Sequence, residues 1–323
     1  MMFPSKSISR VAAIFCCMVG CMLCPEWTLS QAPKAGSSSV EQGIKLVESG
    51  RCAEAMTPLK RGVSQLTDKV MKHQAEMAIV RCAMALDQEQ TAIDTLLQLK
   101  RDAPGDPEVL YIATHYFSEL GMRAAQQLQT QAPASYQAQR LEAEALESQG
   151  KSDEAAAIYN SILAQNPKVP GVHYRLGQIS LDKAGASGST DSAKLEFQKE
   201  IEVDPSNAAP EFILGELARR VGEWEEAVRH LSRAAKLDAG FSEAYLALGM
   251  SLASSGKFAQ AVAPLQSYVK MQPEDPAGHY QLALAYSRIG NKEGATREMA
   301  LQAQVMNRTK SISDTSEGHA VHP

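Results

Sequence analysis

A spacing of 34 residues, or a multiple of it, organises most of this chain. Ala227, Ala261 and Ala295 stand one period apart, and Ala155 falls into register when four residues are inserted between it and Ala227. Each alanine has a glycine five residues before it: Gly150, Gly222, Gly256 and Gly290. Further upstream come Leu214-Gly215 and Leu248-Gly249, with Leu282-Ala283 in the same slot. Self-similarity at this period means stacked helical units, each burying its apolar face only against its neighbours.

Within a unit, numbered from its own first residue, positions 4, 7, 8 and 11 fall on one face of a first helix. Small residues at 8 and 20 mark where two helices cross closely. A glycine at 15 supplies the turn between them. A proline at 32 stops the second helix, as Pro205 and Pro273 do, each followed by residues suited to capping the next one. Five units abut: 136–169, 170–207, 208–241, 242–275 and 276–309, with the four-residue insertion within 184–190.

Tyr245, Leu248, Gly249, Leu252, Ala261, Leu265 and Pro273 resemble the tetratricopeptide-repeat pattern. The other four units carry parts of the same set. The resemblance implies an all-α solenoid of antiparallel helix pairs wound as a right-handed superhelix. The preceding stretch, 40–135, is more degenerate. Units over 36–69 and 73–106 fit, and 107–135 carries Ala113, Phe117 and Gly121 but is short in its second helix. That makes eight units in all, the alternative for 36–135 being a helical bundle that caps the array.

Lys6 and Arg10 precede an apolar run over 11–23, which at 13 residues is too short to span a bilayer and reads as an export signal. Two readings of the leader stand side by side. Ser30-Gln31-Ala32 offers a cleavage site, making 1–32 a signal peptide and 33–39 a polar linker. Met18-Val19-Gly20-Cys21 resembles a bacterial lipobox, which would put a lipid on Cys21 and make membrane contact through that anchor alone. The expected location is periplasmic or extracellular, or membrane-anchored in the second reading. Residues 310–323 read as a polar, disordered tail.

Four of the six cysteines lie in the leader, leaving Cys52 and Cys82. Antiparallel neighbouring helices bring these two together, so a disulfide is expected in an oxidising compartment. The alternative is a pair of buried thiols.

A net charge of −5 with no Lys/Arg cluster disfavours nucleic acid, whose phosphates need a basic footprint. Beyond the leader, where Cys21 and Cys24 stand three apart, no zinc-hydrolase His pair, Cys-x-x-Cys, phosphate loop or nucleophile elbow occurs. His173 and His279, both at position 4, read as core fillers. Neither metal nor cofactor is expected, and the chain reads as non-enzymatic.

The repeat resemblance implies a concave surface lined by first helices. Positions 5, 9 and 12 give Tyr174, Leu181, Phe212, Leu246, Met250, Tyr280 and Leu284 as a candidate partner-binding stripe. The alternative is that they merely pack between adjacent first helices. The lysine, asparagine and arginine clamp of chaperone-binding relatives is missing at these positions. The expected function is a scaffold or assembly factor that holds a protein segment with apolar anchors, as exported envelope repeat proteins do. Two alternatives are an accessory subunit of an envelope enzyme complex and a protein that self-associates through Leu301 and Val305.

Overall fold

The computed structural model describes residues 35–183 and 189–317. Both leader readings, Cys21 and most of the expected insertion at 184–190 lie outside them. Among the described residues there are fifteen helices and no strand. Contacts divide the chain into two units, Met1–Gly121 and Met122–Pro323.

The first unit holds α1 (Ala35–Glu48), α2 (Cys52–Val63), α3 (Lys69–Ala85), α4 (Glu89–Asp102) and the start of α5 (Pro107–Gln131). Its core gathers Val40, Leu59, Ile79, Val80, Leu96 and Leu99, with Tyr116 of α5. Cys52 opens α2 and is joined by a disulfide to Cys82 of α3, their Cα atoms 5.0 Å apart. Most of the expected linker 33–39 is helical, because α1 already begins at Ala35. Gly36 and Gly62 allow α1 and α2 to approach there. A Cβ on Gly36 would lie 2.8 Å from Gln65 Cβ, and one on Gly62 2.6 Å from Val40 Cγ2.

The second unit holds five helix pairs. They are α6 (Tyr136–Ser148) with α7 (Ser152–Gln165), α8 (Val172–Asp182) with α9 (Ser189–Val203), α10 (Ala208–Arg220) with α11 (Trp224–Leu237), α12 (Ser242–Ser254) with α13 (Phe258–Met271), and α14 (Pro276–Arg288) with α15 (Lys292–Glu317).

First and second helices start by different devices. Side-chain oxygens of Asp68, Asp106, Ser135, Asn207 and Asp275 cap α3, α5, α6, α10 and α14 by accepting from backbone N–H groups of the first turn. The second helices α2, α4, α7, α11 and α13 have no such cap. Each follows a left-handed residue instead: Gly50, Asp87, Gly150, Gly222 or Gly256, with φ between 51° and 80°. The residue after it bonds back five positions, as in Lys257 N to Leu252 O at 2.8 Å, closing the preceding helix. Asp87 stands where the other units have glycine, an αL position that aspartate tolerates.

Close helix crossings depend on positions 8 and 24. A Cβ on Gly43, Gly177, Gly215 or Gly249 would fall 2.5, 2.8, 2.6 or 2.4 Å from Leu59, Phe197, Leu231 or Leu265. Position 20 is alanine throughout, and Ala55, Ala92, Ala155, Ala193, Ala227 and Ala261 are fully buried.

Three expectations are corrected. Stretch 107–135 is no helix pair: α5 runs unbroken for 25 residues through Gly121, leaving seven pairs and one single helix among the described residues. A helical glycine costs only about 1 kcal/mol against alanine, and the good helix formers after Gly121 offset that. The tail is helical through Glu317, because propagation adds a hydrogen bond per residue without a new nucleus. Residues 318–323 lie outside the described chain. Val305 is buried, so of the pair read as an exposed self-association patch only Leu301 is open.

Candidate functional site

The first helices of the second unit carry the stripe at positions 5, 9 and 12, and the structure divides it in two. Tyr174 is half-buried, its ring tilted against Phe197 with centroids 5.6 Å apart. Leu181 packs on the Ala193, Phe197 and Leu214 cluster. Phe212 lies against Phe241, centroids 4.7 Å apart, and Leu246 joins the core around Leu248 and Leu265. Met250 is half-buried. Tyr174, Leu181, Phe212 and Leu246 are thus partly occupied by packing between helices.

Tyr280 and Leu284 differ. With Ala283, Ser287, Ala295, Thr296 and Met299 they line an open pocket of about 420 Å³ on the last helix pair. Tyr280 is 45% exposed and Met299 47%.

The same positions 5, 9 and 12 also carry charged residues, Arg140, Glu144, Glu147, Glu216 and Arg219. Arg175 pairs with Glu147 at 2.9 Å and Arg140 with Glu144 at 2.9 Å. Arg219 holds Glu216 in a two-pronged contact at 2.7 and 2.9 Å. Burial and the adjacent Glu147 carboxylate push the Tyr159 hydroxyl well above the usual tyrosine range, so it stays a neutral hydroxyl. Every charge named on this face has an opposite neighbour.

The position-4 histidines are not plain core fillers. His279 Nδ1 lies 2.8 Å from Glu298 Oε2, and both side chains are buried. His173 Nδ1 meets Glu196 at 2.6 Å. In unit 208–241 the order is reversed, with Glu211 at position 4 facing His230 Nδ1 at 2.6 Å. A histidine–carboxylate bridge thus ties first helix to second in three units. Sequence reading missed it because the partner stands at position 23, on the other helix. Glu200, also buried, reaches from α9 to accept from Gly171 N at 2.6 Å and Tyr174 N at 3.2 Å, capping α8, whose own Ncap is a glycine.

The first unit has a pocket of about 570 Å³ lined by Lys69, Lys72, His73, Glu76, Asp102 and Asp106, among others. Lys72 lies 3.0 Å from Asp102 and 3.6 Å from Glu76, and His73 Nε2 lies 3.4 Å from Asp106. No cluster of three or more His, Cys, Asp or Glu among the described residues is arranged to hold a metal ion. None of the described helices is long and apolar enough to cross a membrane.

One family model described as tetratricopeptide repeat matches residues 212–278 and 246–305, and a second of the same description matches 137–179. A curated relative, the CTR9 homolog of Arabidopsis thaliana, is 27% identical over 156 residues, which is 45% of this chain but only 14% of that protein. Among solved structures, MamA is 21% identical with a TM-score of 0.46, covering 52% of this chain and 96% of its own. A MamA from Desulfovibrio magneticus RS-1 is 16% identical with a TM-score of 0.46, over 54% and 96%. YrrB, described as a TPR protein with an unusual peptide-binding site, is 20% identical with a TM-score of 0.48, over 56% and 92%.

Proposed function

We propose that this chain, whose residues 137–179 and 212–305 match tetratricopeptide-repeat models, is a non-catalytic scaffold that holds a segment of a protein partner on its first-helix face. The observation that carries this reading is the open apolar pocket formed by Tyr280, Leu284 and Met299 at one end of a stripe whose named charges are already paired. Such a surface favours apolar anchors over charged ones.

The same proposal puts the protein outside the cytosol. The apolar run over 11–23 behind Lys6 and Arg10 and the confinement of the other cysteines to that leader support export. So does the Cys52–Cys82 bridge, a feature of oxidising compartments. Whether release follows cleavage after Ala32 or lipidation of Cys21 is answered by the mass of the mature N-terminus.

The test of the scaffold reading is site-specific photo-crosslinking in an extract of the native host. A photoreactive residue at Met250 is expected to trap one defined protein, and the same group at exposed Gln260 on a second helix is not. Equal trapping from both sites would overturn the reading. An enzyme as the trapped species would move it to the rival one, an accessory subunit of an enzyme complex.

A further inference from the structure

Position 24 holds a large apolar or aromatic side chain in every paired unit. In six of them, Leu59, Leu96, Tyr159, Phe197, Leu231 and Leu265, it is fully buried. In the seventh, Met299, it is 47% exposed. Position 20 behaves in the same way: alanine is fully buried in the other six pairs, and only Ala295 opens to the surface. Ala295 and Met299 are two of the residues that line the pocket of about 420 Å³. In the interior pairs the first helix of the next unit shares a core with this place: Ala261 and Leu265 of α13 cluster with Leu282, Ala285 and Tyr286 of α14. Among the described residues, the last pair therefore leaves this place uncovered.

We infer that this slot receives one amphipathic α-helix from a partner protein, a helix with the pattern of a repeat's own first helix. The chain itself specifies that pattern, since stacking against a neighbour is how each unit buries its apolar face. The residues turned toward the preceding pair stand at positions 3, 7, 10 and 11. They are Gly278, Leu282, Ala285 and Tyr286 in α14, and Ala244, Leu248, Ser251 and Leu252 in α12, all buried. A small residue, then leucine four residues on, then a small residue followed by a larger apolar one, is the signature to look for.

The chain's own leading helix does not carry it. In α1 positions 3, 7 and 10 are Ser38, Gln42 and Lys45, all exposed. Setting these polar groups against Ala295 and Met299 would desolvate them without partners. Chemistry thus disfavours a second copy docked by that helix and favours a foreign one.

This inference rests on the scaffold reading and names its partner's chemistry. The probe is a fluorescent peptide of residues 276–288, held helical by a lactam across positions 280 and 284, which face away from the docking side. A linear peptide of this length would be marginally helical in water. Titrated with the full-length protein, it is expected to show saturable binding. Met299→Glu, at an already exposed site, should weaken that binding at least tenfold with the circular dichroism unchanged, and Thr296→Trp should do the same by filling the slot. A peptide of residues 35–48 and the probe bearing Leu282→Asp are expected not to bind.

Absence of saturation, or equal binding by wild type and both variants, would overturn the slot. A mass that rises with concentration in wild type but stays monomeric in Met299→Glu would assign the slot to a second copy and overturn the foreign partner. Retained crosslinking from Met250 with no peptide binding would sink the slot alone, and the converse would sink only the stripe.

Discussion

His279 on α14 and Glu298 on α15 face each other at 2.8 Å inside the last helix pair, and the ring's other nitrogen lies 3.1 Å from the Pro273 carbonyl oxygen. A carbonyl only accepts, so Nε2 carries a hydrogen. Nδ1 faces the Glu298 carboxyl. Through its two nitrogens the ring ties together α14, α15 and the turn before α14. Replacing Glu298 with alanine leaves Nδ1 buried and unmatched, at a cost of about 1–3 kcal/mol. Unit 208–241 makes the same bridge with the residues exchanged, Glu211 facing His230. The double variant His279→Glu with Glu298→His should recover at least half of the stability that either single change loses. Urea denaturation of the three variants checks this, and additive losses would show that the bridge does not act as a pair.

Two glycines should respond to alanine with opposite signs. At Gly249 a Cβ would fall 2.4 Å from Leu265 Cγ, a branch point that is fully buried and has nowhere to move. Gly249→Ala is expected to cost on the order of 1–3 kcal/mol through overpacking. At Gly121, inside α5, an added Cβ meets nothing within 4 Å. Gly121→Ala should stabilise by roughly 0.5–1 kcal/mol, the usual gain from removing a glycine from a helix interior. Thermal melts of both would settle the signs. A loss at Gly121 would mean that the chain turns there after all.

These two glycines also show what could be read from the chain. Gly249 was legible because close packing constrains side-chain size at a fixed offset, and Leu265 stands at its fixed partner offset. Gly121 misled because a glycine in the right place predicts a turn only when a helix can restart behind it, and in α5 the helix simply continues. The stripe was legible as a set of positions but not in its use, since Phe212 and Leu246 divide their surface between packing and solvent. Met299 was not legible at all. Its register says buried, and only the structure reveals that nothing among the described residues covers it.

Two carboxylates should give opposite pH slopes. Burial of Glu196 pushes its carboxyl up, but hydrogen bonds from Lys199 and His173 outweigh that and hold it below the usual range. Its contribution is therefore complete above the pKa of an unfolded glutamate, about 4.3, and is lost as pH falls through the lower folded value. Glu76 is raised, chiefly by burial, which outweighs the attraction of Lys72. Its charged form is the disfavoured one in the fold, so it penalises stability above its folded pKa and the penalty fades as pH drops to the unfolded value. Glu76→Gln should thus raise the melting temperature at pH 7 and leave it unchanged near pH 3.5. Glu196→Gln should lower it at pH 7, with the gap closing only below pH 4. The same sign for both at neutral pH would contradict these environments.

Cys52 and Cys82 close a loop of 30 residues in sequence separation, joining α2 to α3 in the first unit. The chain-entropy argument gives such a cross-link roughly 3–4 kcal/mol, through restriction of the unfolded chain. Cys82 is fully buried, so reduction also leaves a thiol enclosed in the core, where it still packs as a small apolar group. The enclosed thiol therefore adds little to the loss, and most of it is expected to come from the unfolded state. The expected outcome is a lower melting temperature on reduction or in Cys52→Ala with Cys82→Ala, with far-ultraviolet circular dichroism at 20 °C retained. Because contacts separate Met1–Gly121 from Met122–Pro323, the effect should be confined to one transition if the two units melt independently. Hydrogen exchange before and after reduction makes that distinction. Faster exchange in α2 and α3, with α10–α13 unchanged, is the predicted pattern, and loosening of α10–α13 on the same scale would show that the units unfold as one.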